Sequence, residues 1–228
     1  MQHRSTTIHE NIARITAIIP HVKLIVVSKQ RPIEDIQAAY SCGQRRFGEN
    51  KALELADKYK VLPKDIEWHF IGHLQTNKVK HIAPFISLIH SVDSLKLMEA
   101  IDREGLKNNR VIDCLLQFYI AKEETKFGLD ETEAIEILES ESYKNHLRHT
   151  RIIGVMGMAT FTDDVKEIKR EFATLKKIFE RIRQKYFSTA PFFRELSMGM
   201  SADYQHAITE GSTMVRIGTD IFKRDYIV

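Results

Sequence analysis

A single lysine closes the apolar run Leu24-Ile25-Val26-Val27-Ser28-Lys29, and Gln30-Arg31-Pro32 follows it. A lysine amine that is stripped of water and loses its proton is a nucleophile toward carbonyl carbon, the chemistry of Schiff-base formation. The same residue type also snorkels from strand ends without any chemical role. Near the other end of the chain, Ser197-Met198-Gly199-Met200-Ser201-Ala202-Asp203 and Arg216-Ile217-Gly218-Thr219-Asp220 bring small residues and hydroxyls together. Glycine lets a backbone approach an anion, and hydroxyls and free N–H groups at helix starts donate to it. Read alone, Ser201 and Thr219 serve equally as helix caps, and Gly199 and Gly218 as tight turns. His69, His73 and His90 offer a further, weaker set, because no acidic partner stands at metal-ligand spacing to them.

These residues need elements to place them. Residues 24–27 lack polar alternation, as expected of a strand buried on both faces of a parallel sheet. Pro32 then suits the first position of a helix with Glu34 and Asp35 in its first turn. Further strands are expected near 45–48, 67–72, 85–90, 111–118, 151–156, 193–197 and 213–217. Between them lie helical periodicities, among them Leu95/Met98/Ile101 behind a Ser94 cap, and Ala134/Ile135/Leu138 behind an Asp130/Glu133 capping pair. The longest helix is expected over 165–186, with Ile168, Phe172, Leu175, Phe179 and Ile182 three and four apart. An additional helix over 5–19 precedes the first strand. Eight strands alternating with helices in 228 residues predict an α/β fold, a single (β/α)₈ TIM barrel spanning 1–228 with an extra N-terminal helix. A doubly wound open sheet is the other arrangement of such units, but no G-x-G-x-x-G follows the first strand.

In a (β/α)₈ barrel, strand C-termini carry the chemistry, and the loops after strands seven and eight often hold phosphate. A strand-end lysine and two such loops together suggest pyridoxal 5′-phosphate, whose aldehyde needs an amine and whose phosphate needs an anchor. Arg216 would then lie near the pyridine nitrogen, where its permanent charge disfavours ring protonation and weakens the cofactor as an electron sink. Pairing of Arg216 with Asp220 or Glu49 is the alternative at this point.

The formal charge of +3 and the absence of a basic block argue against a nucleic-acid footprint. No apolar stretch has the length of a membrane span or a signal-peptide core. Cys42 and Cys114 have no disulfide or metal spacing, which fits a reducing, cytoplasmic setting.

The motifs Val27-Ser28-Lys29, Phe47-Gly48-Glu49-Asn50, His69-Phe70-Ile71-Gly72-His73-Leu74-Gln75-Thr76-Asn77-Lys78 and His90-Ser91-Val92-Asp93-Ser94 occur in order. They are followed by Gly154–Met158, Leu196–Asp203 and Gly211–Thr219. In these the chain closely resembles the YggS/PROSC family of pyridoxal-phosphate-binding, or PLP homeostasis, proteins. The resemblance implies a barrel like the N-terminal domain of alanine racemase, without that enzyme's second domain. It implies cofactor binding by Lys29 through an internal aldimine, by Arg216 at the pyridine nitrogen, and by Ser201, Gly218 and Thr219 at the phosphate. Asn50 and Met156 match positions that line the family's pocket. The implied role is to hold and hand over the cofactor as a monomer, maintaining vitamin B6 and amino-acid balance. Apo pyridoxal-phosphate enzymes or B6-pathway enzymes would be transient partners.

Tyr119, Leu53 and Lys223 depart from the family pattern, at positions where Asn, Gln and Gly are usual. A racemase-like enzyme is the rival reading. It needs an acid/base on each face of its substrate, with Lys29 on one and Tyr119 or Tyr204 as the only tyrosines suggested for the other. A metal-dependent barrel hydrolase built on His69, His73 and His90 is a second rival.

Overall fold

In the computed structural model, residues 2–121 and 127–223 are described. Eight parallel strands pair in chain order, and β8 pairs back onto β1 to close the barrel. They are β1 Lys23–Val27, β2 Arg46–Glu49, β3 Glu67–Phe70, β4 Leu88–Val92, β5 Ile112–Tyr119, β6 Thr150–Met158, β7 Glu195–Ser197 and β8 Met214–Ile217. Closure lets every strand bond to two neighbours, so the sheet has no free edge.

The helices are α1 Gln2–Ile18, α2 Ile33–Ser41, α3 Ala52–Val61, α4 Val79–Ile82, α5 Leu95–Lys107, α6 Glu131–Glu139, α7 Val165–Tyr186, α8 Tyr204–Thr209 and α9 Thr219–Phe222. Their apolar stripes meet the outward side chains of the strands in one continuous core that includes Phe47, Trp68, Phe172, Leu175 and Ile182. The caps read from the sequence are present. Ser94 accepts from the Leu97 N–H, and Asp130 and Glu133 bond reciprocally at the start of α6. Asp164 caps α7 by accepting from the N–H groups of Lys166 and Glu167.

The N-terminal helix packs Ile8, Ile12, Ile15 and Ile19 into that core. It is tied down where Asn11 donates to the Ile221 carbonyl at 3.2 Å. The expected barrel is therefore the one observed, with local differences. The fourth strand begins at Leu88 rather than Phe85, because Phe85 and Ile86 close the turn after α4 through hydrogen bonds to Ile82. After β3 the chain makes a 3₁₀ turn at Thr76–Lys78 before the short α4, and a π-turn at Ser142–His146 precedes β6. A four-residue helix also follows β8, where the sequence shows no convincing one.

One glycine is required by the closure itself. Gly154 sits where β6 meets β7, and a Cβ there would lie 1.8 Å from the Glu195 carbonyl oxygen. Relief would demand that the two strands separate. Gly154→Ala is expected to cost more than about 4 kcal/mol or to abolish soluble folding, the range of severe single substitutions; urea denaturation of the purified variant checks this, and a midpoint near that of the parent would contradict it.

Candidate functional site

A cleft of about 410 Å³ opens at the C-terminal ends of the strands. Its walls come from β1 and the turn after it (Val27, Lys29), the loops after β2 and β3 (Asn50, Ile71, Gly72), the end of β6 and beyond (Met158–Phe161), and the segments around β7–α8 and β8–α9 (Met200–Asp203, Arg216, Gly218, Thr219). Six of the seven site residues expected from the sequence therefore meet in one cavity, although they are up to 190 positions apart: Lys29, Asn50, Ser201, Arg216, Gly218 and Thr219. Met156 is not on its wall. It is buried inside the barrel against Leu88, Leu115 and Met214. Because β6 continues two residues further, the next inward position, Met158, lines the cleft instead.

Lys29 lies two residues beyond β1, exposed along the cleft wall. The expectation that burial strips this amine of water is thus corrected: the lysine faces the open cavity. Its backbone belongs to a β-turn in which the Arg31 N–H donates to the Ser28 carbonyl at 3.0 Å. Ser28 is fully buried, and its hydroxyl donates to Glu49 Oε1 at 2.6 Å.

Arg216 is 4% exposed, and its guanidinium donates to Ser197 Oγ at 2.7 Å and to the Gly157 carbonyl at 3.2 Å. Neither Asp220 nor Glu49 pairs with it; Asp220 accepts from Lys223 and Glu49 from Lys58. Burial lowers the Arg216 pKa to about 10, partly offset by the Asp203 carboxylate, so the group is cationic at neutral pH. Behind Arg216 runs a polar chain through the barrel: Ser197 Oγ to His90 Nδ1 at 3.0 Å, then His90 Nε2 to His69 Nδ1 at 2.8 Å. The guanidinium can only donate, so Ser197 accepts from it and turns its own proton to His90 Nδ1. His90 must then carry its proton on Nε2 and give it to His69 Nδ1, an assignment made from the network. Both histidines are held neutral. Burial, with the charges of Arg46 and Lys23, lowers His69 to about 3; burial, His69 and Arg216 push His90 well below its ordinary value.

The three histidines do not converge. His73 is on the surface, bonded to Asp93 at 3.2 Å and stacked on Phe127, and no group of three possible metal ligands occurs among the described residues. The phosphate segments show a different character. Ser201 Oγ stands 3.4 Å from the Gly218 N–H and 3.5 Å from the Asp220 N–H, long contacts at the opening of α9. A Cβ on Gly218 would press on Val27 at 3.1 Å, so the backbone there passes close against β1. Asn50 Oδ1 is buried and lacks a partner. Sequence reading missed Ser197 as the partner of Arg216, and it missed Lys58 altogether; only the position of Ser197, two residues before the glycine of its loop, could have signalled it.

Comparison with known proteins places the fold and the family. The family model for the alanine racemase N-terminal domain matches residues 4–225. The pyridoxal phosphate homeostasis protein of Aquifex aeolicus is 38% identical over 201 residues, covering 88% of this chain and 86% of that one. PipY of Synechococcus elongatus, solved with pyridoxal phosphate bound, is 35% identical with a TM-score of 0.83, covering 95% of this chain and all of the other. Alanine racemase of Bartonella henselae shares the fold at 15% identity, TM-score 0.70, over 97% of this chain and 61% of its own.

The neutral histidine pair makes stability depend on pH. Each is uncharged in the fold but protonatable near pH 6.5 once unfolded, so the unfolded state binds more protons below that value. For His69 the stability is complete above about pH 6.5 and is lost as pH falls toward about 3, by at most about 1.4 kcal/mol per pH unit, and His90 adds to the loss in the same direction. Urea midpoints measured between about pH 7 and pH 5 should fall, and His69→Gln should flatten the slope; equal slopes would show that His69 is already protonated in the fold.

Proposed function

The chain belongs to the pyridoxal phosphate homeostasis proteins, a family built on the alanine racemase N-terminal domain, and we propose that it holds pyridoxal 5′-phosphate covalently on Lys29 and releases it to other proteins. The observation that carries this is the convergence of Lys29, Arg216 and the Ser201/Gly218/Thr219 backbone in one cleft. The residues present fit the cofactor. The Gly218 backbone lines the cleft, Ser201 and Thr219 supply hydroxyls beside it, and the orphaned Asn50 Oδ1 marks a polar position that a ligand can satisfy. Bound there, pyridoxal 5′-phosphate supplies an aldehyde that accepts a primary amine and a ring that can withdraw electrons.

Lys29 Nζ would provide the amine. Ser201, Gly218 and Thr219 would hold the phosphate, and Arg216 would lie on the side of the pyridine nitrogen. Because Arg216 is cationic and already committed to Ser197 and Gly157, it would disfavour protonation of that nitrogen and so weaken the ring as an electron sink. A racemase would need a second acid/base opposite Lys29. Tyr204 is 4% exposed in the apolar core and Tyr119 is not among the cleft-lining residues, so neither supports that reading. A carrier or buffer of the cofactor fits better than an enzyme. It would act as a monomer in the cytoplasm, with apo-enzymes or B6-pathway enzymes as transient partners. Free thiols at Cys42 and Cys114 favour a reducing compartment, and no described helix is long and apolar enough to cross a membrane.

The purified protein titrated with pyridoxal 5′-phosphate should develop a visible absorbance band that Lys29→Ala lacks. The loaded protein should restore activity to an apo-enzyme while showing no ordinary racemase turnover. Absence of the band, or robust racemisation of several amino acids, would contradict the proposal.

A further inference from the structure

We propose that Glu54 and Lys58 are positioning residues that fix the backbone carrying Lys29, a step beyond, and resting on, the assignment of Lys29 as the covalent anchor. Lys58 is buried on α3, yet its ammonium reaches the turn after β1. It donates to the Ser28 carbonyl at 2.8 Å, to Glu49 Oε1 at 2.7 Å and to Glu54 Oε1 at 2.7 Å. Glu54 Oε1 accepts from the Gln30 N–H at 2.8 Å. The residues on either side of Lys29 are thus gripped by one charged cluster, whose third member, Glu49, also binds the Ser28 hydroxyl.

The need for that grip lies in Gln30. Its φ is +58°, a left-handed backbone at the turn position where glycine is preferred. For a residue with a Cβ this conformation is unfavourable and persists only when the surroundings impose it. Glu54 supplies an acceptor for Gln30 N–H in that conformation. Lys58 supplies a counter-charge to Glu54 and a second anchor at Ser28. Glu54 keeps its negative charge: burial raises its pKa, but the Lys58 and Gln30 hydrogen bonds and the charges of Lys58 and Lys51 together outweigh this and the net shift is downward. Burial pushes Glu49 up, with Lys58 and Ser28 opposing, so the same ammonium compensates both carboxyls. If the cluster is weakened, the turn relaxes toward right-handed conformations and the Lys29 amine leaves its place in the cleft.

The test compares pyridoxal 5′-phosphate with its 4′-alcohol analogue, pyridoxine 5′-phosphate, which fills the same cleft but cannot condense with an amine. In Glu54→Ala the apparent affinity for the aldehyde should fall about fivefold to tenfold, the equilibrium effect of one left-handed residue losing its support. Affinity for the alcohol should stay within about twofold, and hydrogen exchange at the Gln30 amide should accelerate. Adding Gln30→Gly to Glu54→Ala should recover most of the loss, because glycine adopts the left-handed conformation without a Cβ penalty. Lys58→Met leaves Glu49 buried without its cation and is expected to destabilise the fold, which is why Glu54→Ala and its glycine rescue carry the test.

Unchanged aldehyde affinity in Glu54→Ala, with wild type forming the Lys29 adduct, would overturn the positioning role alone. So would an equal loss for both ligands that glycine fails to rescue, since that pattern marks general damage. A wild-type protein that forms no adduct would overturn the Lys29 assignment and this inference with it.

Discussion

A closed parallel barrel leaves its inward side chains no solvent to turn to, and this constraint governs the rest of the molecule. Every polar group that points inward must find its partner inside. At the N-terminal end the buried Glu195 accepts from the half-buried Lys23 at 2.5 Å. The next inward positions are filled by the apolar group of Leu88, Leu115, Met156 and Met214. One inward position further along β4 and β8 come His90 and Arg216, joined through Ser197. A guanidinium in that place would be costly if unpaired, and the Ser197 hydroxyl and Gly157 carbonyl that accept from it offset part of that cost while leaving the cleft-facing side of the residue available.

The same economy of placement is visible outside the barrel wall. Glu49 and Ser28 point between β1 and α3, where the Lys58 ammonium meets both. Arg216 and Lys29 therefore have different supports: the first is oriented from within the barrel, the second from the helical layer. Both residues line one cleft, in which the Gly218 backbone is pressed against Val27 of β1; under the proposed function this is where the anionic aldehyde would be held.

Much of this was legible in the sequence. The eight-fold alternation, the N-terminal helix and the caps at Ser94, Asp130 and Glu133 follow from local periodicity and hydrogen-bonding chemistry, which act over a few residues. Lys29 and the two glycine-bearing segments were legible because barrel topology tells where strand ends must meet. Other features depend on long-range packing, and composition does not encode that. Lys58 resembles any lysine on a helix until the approach of α3 to β1 is known. The pairing of His69 with His90 looks like a fragment of a metal site until Ser197 and Arg216 are seen to continue it. Met156 was displaced from the cleft wall by a two-residue extension of β6, and strand ends are where local signals are weakest. Gln30 is the instructive case: nothing about a glutamine announces a left-handed backbone, which the tertiary contact from Glu54 makes tenable.

The most direct measurement is peptide mapping by mass spectrometry after borohydride reduction of the protein incubated with pyridoxal 5′-phosphate. One reduced pyridoxyl group per chain is expected, on the peptide containing Lys29. A modification centred on another lysine, or spread over surface lysines with Lys29 unmodified, would contradict the Lys29 assignment.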